Sequence, residues 1–540
     1  MRTPRRRAAL VALALAVPAA IGLTAAQTSV ARSTDKPIAG DTPVVVAQGT
    51  AQSHGRHNGN ATFNVNVGLA VRDSGALDGL IRAASTPGTP QHGHYLTNAQ
   101  YMATYAPTNV QVQAATAWLK DQGLDVTGVS PDNLLIHVQA KVNKLEKAFG
   151  VAINDYTANG RSFHSNDRDP VVPDGLSVNW ISGLSDYDVF KPAVTCVTPP
   201  STGCSLDGTD LKNVYDVVGD GKGQTLGFTL WGEPLPQSDF TSYANATGTT
   251  ALTIGQSGDD GLNFITVDGT TTESDTDGEV ALDTQNAHLV APGIHETYWQ
   301  GADNSFSTLE DVLNDAANSS ISVISNSWGA QSNPCSVDSN METSLQHGAA
   351  TGKTFYFSSA DAGASSGCSY PAESQYVVAV GGTALNITTP GDTYNSESAV
   401  NNGGGCLDSE PRPSWQTGIG TPQKWGPPQS ACTGRAEPDV SAITGFCTDG
   451  SNCGPGTFIF FGGTGHCCFG GTSLAAPVWA ASTVVWNNHN AANGRPGVGF
   501  DAPLIYALAN DPTTYARDFH DVTTGTNGFA ATTGWDEATG

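Results

Sequence analysis

Basic residues are scarce. Lys and Arg number 24 against 50 Asp and Glu, a formal net charge of −26 over 540 residues. That balance argues against nucleic acid or an anionic membrane as a partner. Charge of either sign is sparse, at 14% of residues, while glycine reaches 62, which points to a loop-rich exported protein. After the N-terminus there is no second apolar run of membrane-spanning length. Cysteine is absent before Cys196, so the first third of the chain differs in kind from the rest. No pair among the ten cysteines has the Cys-x-x-Cys spacing of a zinc site.

The N-terminus reads as a signal peptide, with Arg2, Arg5, Arg6 and Arg7 preceding an apolar run from Ala8 to Leu23. Cleavage is expected after Ala26 or Ala31, so residues 1–31 lie outside the fold and the mature protein is expected to be secreted. An even cysteine count in an exported chain points to disulfides. Cys196–Cys204, Cys335–Cys368 and Cys406–Cys432 are candidate pairs, with other connectivities open.

Residues 41–187 read as a small α+β domain. Thr62–Val71 alternates like a strand, Leu134–Val138 is a second strand, and Ala76–Ala84, Asn98–Tyr105, Val110–Gly123 and Lys141–Phe149 have helical spacing. No nucleophile or metal cluster stands out in it. Residues 188–208 are rich in Pro, Thr, Gly and Ser and read as a linker. From 209 to 540 the pattern is α/β. Strands are expected at Thr225–Leu230, Leu262–Val267, Ile294–Trp299, Ile321–Ser325, Thr354–Ser358, Tyr376–Val380 and Phe458–Phe461. Helices are expected at Glu279–Val290, Thr308–Ala317 and Asn340–Ala350. Such alternation predicts a mostly parallel sheet with helices on both faces. Thr383–Gly456 reads as an extended surface region.

Three stretches carry candidate chemistry. Gly470-Gly471-Thr472-Ser473 leads into an apolar helix, placing the Ser473 hydroxyl at the positive end of a helix dipole, as a nucleophile or as an N-cap. A serine nucleophile needs a base. No His-Gly-Thr-His-like stretch supplies one, and His347-Gly348-Ala349 lacks the rest of that pattern. Glu279 and Asp283, at i and i+4, share a helix face, either as a solvated acidic face capped by Asp277 or as a carboxylate pair sharing a proton. Asp361, in Ser359-Ala360-Asp361-Ala362-Gly363, falls at the carboxyl end of an expected strand. A neutral carboxylic acid there suits an oxyanion; an ordinary turn is the alternative.

Together these stretches resemble the sedolisin (serine-carboxyl peptidase) family, of the kumamolisin type. Gly434-Arg435-Ala436-Glu437-Pro438-Asp439, Ser325-Asn326-Ser327-Trp328-Gly329 and Val380-Gly381-Gly382-Thr383 add to the likeness as scaffold and cleft elements. The resemblance implies a subtilisin-like fold with Ser473 as nucleophile, Glu279 as base, Asp283 orienting it and Asp361 in the oxyanion hole. It makes 41–187 a ferredoxin-like activation propeptide that blocks the cleft and is cut away in acid within the linker. It also implies one structural Ca2+ held by Asp521, Val522, Thr532, Gly534 and Asp536. Ala360 and Thr532 stand where the family often has glycine, and Leu230 where some members carry a further acid. The family usually continues a little beyond the position of Gly540. The implied protein is a monomeric secreted acid endopeptidase made as a zymogen, acting on peptides and proteins, with no nucleic-acid or membrane partner after signal removal. Alternatives are a tripeptidyl-type aminopeptidase of the same fold, a His-dependent subtilisin, or a catalytically silent binding protein.

Overall fold

A computed structural model describes residues 35–192, 195–196, 206–269, 276–332, 337–364, 368–388, 393–407, 410–417, 433–445 and 456–540. The expected signal peptide lies outside these residues, as do Cys204, Cys335 and Cys432 of the candidate disulfides. Cys406 is disulfide-bonded.

The N-terminal part builds a four-stranded antiparallel sheet in the order Asp125–Val129, Leu135–Lys141, Thr62–Leu69 and Val178–Ser182. Helices Asn109–Asp121 and Val142–Phe149 carry Ala115, Leu119, Leu145 and Phe149 into a core with Val65, Val67, Ile136 and Val138. Both Thr97 and Thr108 open helices with a full capping box, each closed by a glutamine three residues on. A separate sheet pairs Gln52–Arg56 with the Ile153–Ala158/Arg161–Asn166 hairpin. Helices Ser74–Ser85 and Asn98–Thr104 face the other way. Their Leu77, Ile81 and Tyr101 join the core of the C-terminal part.

The C-terminal part is organised on one large sheet. Its strands are β1 (Thr225–Trp231), β2 (Thr253–Ile254), β3 (Gly261–Val267), β4 (His295–Gly301), β5 (Val323–Asn326), β6 (Thr354–Ser358), β7 (Val378–Thr388), β8 (Thr393–Ala399) and β9 (Val440–Ile443). The order is β2-β3-β4-β1-β5-β6-β7-β8, with β9 also on β7; every pairing is parallel except β7 with β8. Four helices matter for the site: α1 (Asp277–Val290), α2 (Phe306–Asn318), α3 (Ser339–Ala350) and α4 (Thr472–Ala492). This is a subtilisin-like arrangement, a mostly parallel sheet flanked by helices.

Two expectations need correction. Phe458–Phe461 is not in the main sheet. Thr457–Phe461 pairs antiparallel with Thr464–Gly470 across a Gly462-Gly463 turn in which both glycines have positive φ. Thr383–Gly456 is not all surface loop, because β9 inserts beside β7 and buries Val440 and Ile443. Four residues are too few for a periodicity to register. The expected linker also carries short strands. Phe190–Pro192 pairs antiparallel with Trp328–Ala330, and Thr195–Cys196 pairs with Phe469–Gly470. Phe190 is fully buried, edge-on to Phe306 and Trp328. Among the described residues no helix is long and apolar enough to cross a membrane.

Candidate active site

Gly471 is the N-cap of α4, with φ 115 and ψ 172, a conformation open to glycine. Ser473 is therefore the second residue of the helix and not its cap. It is fully buried rather than exposed, in a chain whose Phe190–Pro192 strand lies against Trp328–Ala330. Pro477, four residues on, has no N–H to give the Ser473 carbonyl. The Ser327 hydroxyl lies 3.3 Å from that carbonyl instead, and the Ser473 hydroxyl donates to the Ser327 carbonyl at 3.2 Å.

The acidic helix face is not solvated. Every residue of α1 from Glu279 to Val290 is buried. Its N-cap is Thr276, whose hydroxyl donates to the Trp231 carbonyl at the end of β1, with Asp277 following in the first turn. Glu279 and Asp283 face the carboxyl ends of the strands and the start of α4. Asp283 accepts on both oxygens, from the Ser327 hydroxyl at 2.6 Å and the Tyr298 hydroxyl at 2.8 Å. Among the described residues neither oxygen of Glu279 has a partner at hydrogen-bonding geometry. The hydroxyls of Ser473 and Ser327 and the charges of Asp283 and Asp361 all act on it.

Burial raises both carboxyls. It lifts Glu279 well above the usual carboxylate range, with the charge of Asp283 adding to it. It pushes Asp283 up to about 7 against the opposing hydrogen bonds of Ser327 and Tyr298. Two like acids one helical turn apart in a dry site resist ionising together and titrate as a pair.

Asp361 follows β6. Its Oδ1 accepts from the Thr472 N–H at 2.8 Å and the Thr472 hydroxyl at 2.9 Å, tying the turn to the residue before Ser473. Ala360 has φ 83, a left-handed conformation that strains any residue with a Cβ. The structure thus brings Ser473, Glu279, Asp283 and Asp361 together. Ser327 and Tyr298 join them, which sequence spacing did not reveal. Ser327 had stood out only as part of a scaffold motif; Tyr298 carried no signal.

His347 lies elsewhere. It is fully buried on α3, 3.0 Å from Asp132 and stacked on Tyr101 at 3.8 Å between ring centroids. His288 is buried beside Asp260 at 3.5 Å.

The residues implied to hold calcium form one C-terminal loop pair. The Gly534 N–H donates to Asp521 at 2.9 Å, and the Thr532 N–H donates to Asp536 at 2.7 Å. Asp536 also accepts from the amides of Ala538 and Thr539. Among the described residues no cluster of three or more His, Cys, Asp or Glu is arranged for a metal. Two carboxylates with backbone carbonyls are nevertheless a donor set that suits a hard cation.

Residues 50–187 match the pro-kumamolisin activation domain and residues 267–495 match the subtilase family. The second match spans Glu279, Asp283, Asp361 and Ser473. Sedolisin of Pseudomonas sp. (strain 101) is 28% identical, over 99% of this chain and 94% of its own. Tripeptidyl-peptidase 1 of Homo sapiens is 24% identical, over 90% of this chain and 91% of its own. The solved structure of Pseudomonas sedolisin, a serine-carboxyl proteinase complexed with two molecules of pseudo-iodotyrostatin, superposes with a TM-score of 0.50 at 25% identity. That match covers 63% of this chain and 95% of the other. The chain is a serine-type peptidase in which a pro-kumamolisin activation domain precedes a subtilase-like peptidase domain, with sedolisin among its relatives.

Proposed function

We propose that the chain is the zymogen of a secreted, acid-acting serine-carboxyl endopeptidase whose base is Glu279. The observation that carries this reading is the buried contact set around Ser473. The groups acting on Glu279 are Asp283, Asp361 and the hydroxyls of Ser473 and Ser327, while His347 is committed to Asp132. In the reaction the Ser473 hydroxyl leaves the Ser327 carbonyl and turns to Glu279. Its oxygen bonds to the peptide carbonyl carbon as its proton passes to Glu279. Glu279 returns a proton to the leaving amine as the C–N bond breaks, and water repeats the sequence on the acyl-enzyme. Asp283, fixed by Ser327 and Tyr298, orients Glu279 and shares its proton. Asp361, held by Thr472 and neutral in acid, donates to the oxyanion.

The activation domain acts as an intramolecular inhibitor, and the strand Phe190–Pro192 along Trp328–Ala330 is the segment we assign to the cleft. An extended chain pairing there presents its backbone as a peptide substrate would. Tripeptidyl action on chain ends is the second reading, favoured by the likeness to tripeptidyl-peptidase 1. Asp521 and Asp536, with the carbonyls of Val522, Thr532 and Gly534, would hold one structural Ca2+, which supplies a cross-link between the two loops and no chemistry.

A peptide aldehyde tests the nucleophile. Incubated with the acid-matured enzyme, it should add to Ser473 and be mapped there by mass spectrometry, with no adduct in Ser473→Ala. An adduct on another residue would refute the assignment.

A further inference from the structure

The active-site carboxyls do not end at Asp283. Glu296, the second residue of β4, is fully buried, and among the described residues neither of its carboxyl oxygens has a hydrogen-bond partner. Strand alternation fixes where it points. Tyr298, two residues on, reaches Asp283 on α1, whereas a Cβ on Gly301 would meet Thr308 and Val312 of α2. Even-numbered positions of β4 therefore face α1, and Glu296 stands behind Tyr298 on that side.

Among the described residues its surroundings supply no donor and no cation. The register sets Leu226 of β1 and Leu262 of β3 beside it. His295 points to the other face, bonded to the Gly258 carbonyl and to Asn263. On α2, Glu310 accepts from Asn66, and Asp311 meets Asn66 and His137, all toward the activation domain. Among the described groups the charge that acts on Glu296 is that of Asp283; burial first and then that charge raise it well above the usual carboxylate range. A carboxyl without donors between two leucines persists as the neutral acid.

We propose that Glu296 is a positioning residue for the Glu279–Asp283 pair, the third member of a buried carboxyl row whose own ionisation ends activity on the alkaline side. This rests on the triad reading above. While Glu296 keeps its proton, the Glu279–Asp283 pair is able to carry one negative charge, the charge Glu279 needs to take the Ser473 proton. When Glu296 releases its proton to solvent, its charge opposes a charge on the pair, which holds a second proton in response. With both acids protonated, Glu279 cannot accept from Ser473 and hydrolysis stops.

The test is the pH dependence of Glu296→Gln, read in two ways. On matured enzyme, the ratio of kcat/KM at about pH 7 to that at about pH 4 should rise about tenfold over wild type. On the Ser473→Ala zymogen, the fall in Tm between about pH 5 and about pH 8 should be smaller with Glu296→Gln. An acid whose folded pKa is raised stabilises the fold below its unfolded value, and that contribution is lost as pH rises through the folded one. Glu296→Met, with the same two measurements, covers failure of the amide variant to fold. An unchanged ratio overturns the proposal, whether or not the Tm curves differ, since differing curves alone would make Glu296 a stability residue. A folded but wholly inactive Glu296→Gln also overturns it, because the amide keeps the charge state the row requires. If Glu279→Gln remains active the triad reading fails instead, and the Tm comparison still reports whether Glu296 titrates.

Discussion

Asp132 of the activation domain and His347 of α3 meet at 3.0 Å with both side chains closed off from solvent. Asn314 and Asn318 of α2 donate to the same Asp132 oxygen at 2.9 and 3.0 Å. Burial pushes the Asp132 carboxyl up, but the hydrogen bond and charge of His347, with Ser130 and Leu134, outweigh it and hold it below the usual range. A lowered acid stabilises docking above its unfolded pKa of about 3.9 and loses that contribution as pH falls through its folded value. Dissociation of the activation domain should therefore steepen below about pH 4. Asp132→Ala takes the buried acceptor from His347 and one acceptor each from Asn314 and Asn318, and should weaken docking by about 3–5 kcal/mol. The check is processing rate against pH. Wild-type and Asp132→Ala zymogens maturing at equal rates near neutrality would contradict it.

Tyr298→Phe removes one of the two donors to Asp283 while keeping the ring that stacks on Phe228 at 5.4 Å. A hydrogen bond to a charged group is worth about 1.5–3 kcal/mol, so kcat/KM should fall roughly ten- to a hundredfold. The lost hydrogen bond lowered Asp283, so the acid limb of the profile should move to higher pH. A loss of activity with an unmoved limb would assign Tyr298 to packing alone.

Thr472→Val keeps the backbone donor to Asp361 but deletes the hydroxyl contact at 2.9 Å. With its oxyanion acid less firmly aimed, the enzyme should lose kcat with little change in KM. Asp361→Asn should cost more, about a hundred- to a thousandfold in kcat. Steady-state kinetics on one peptide separates the two parameters, and an effect on KM alone would place Asp361 in substrate binding.

Chelation tests the calcium proposal. Removing Ca2+ should lower Tm and adding it back should restore it. Asp521→Asn should begin at the chelated Tm and respond to neither treatment. Asp521 suits this test better than Asp536, which three backbone amides already occupy. Identical melting with and without chelator would remove calcium from the account.

The elements that held the chemistry were legible where the signal is local. Glu279 and Asp283 announce themselves by spacing, and Ser473 by the glycines before its helix. What spacing cannot give is which face is wet. The same i, i+4 acids also read as a solvated surface, and the burial of α1 from Glu279 to Val290 against α4, the Thr457–Phe461 strand and the Gly208–Val214 helix decides the matter. Tyr298 and Ser327 were illegible as functional residues because each meets Asp283 across the fold, 15 and 44 positions away. β9 was missed because four residues inside a cysteine-rich stretch show no period. Residues 188–208 read as a linker because Pro, Thr, Gly and Ser are frequent there, yet Phe190 anchors the stretch in the core.

The most direct test of the central claim is peptide hydrolysis against pH for matured wild type, Ser473→Ala and Glu279→Gln. The account predicts wild-type activity concentrated below neutrality and lost in both variants across the whole range, with each variant's zymogen folded by Tm. Wild-type activity that peaks at or above neutral pH and survives Glu279→Gln would contradict it, and would return the base to a histidine.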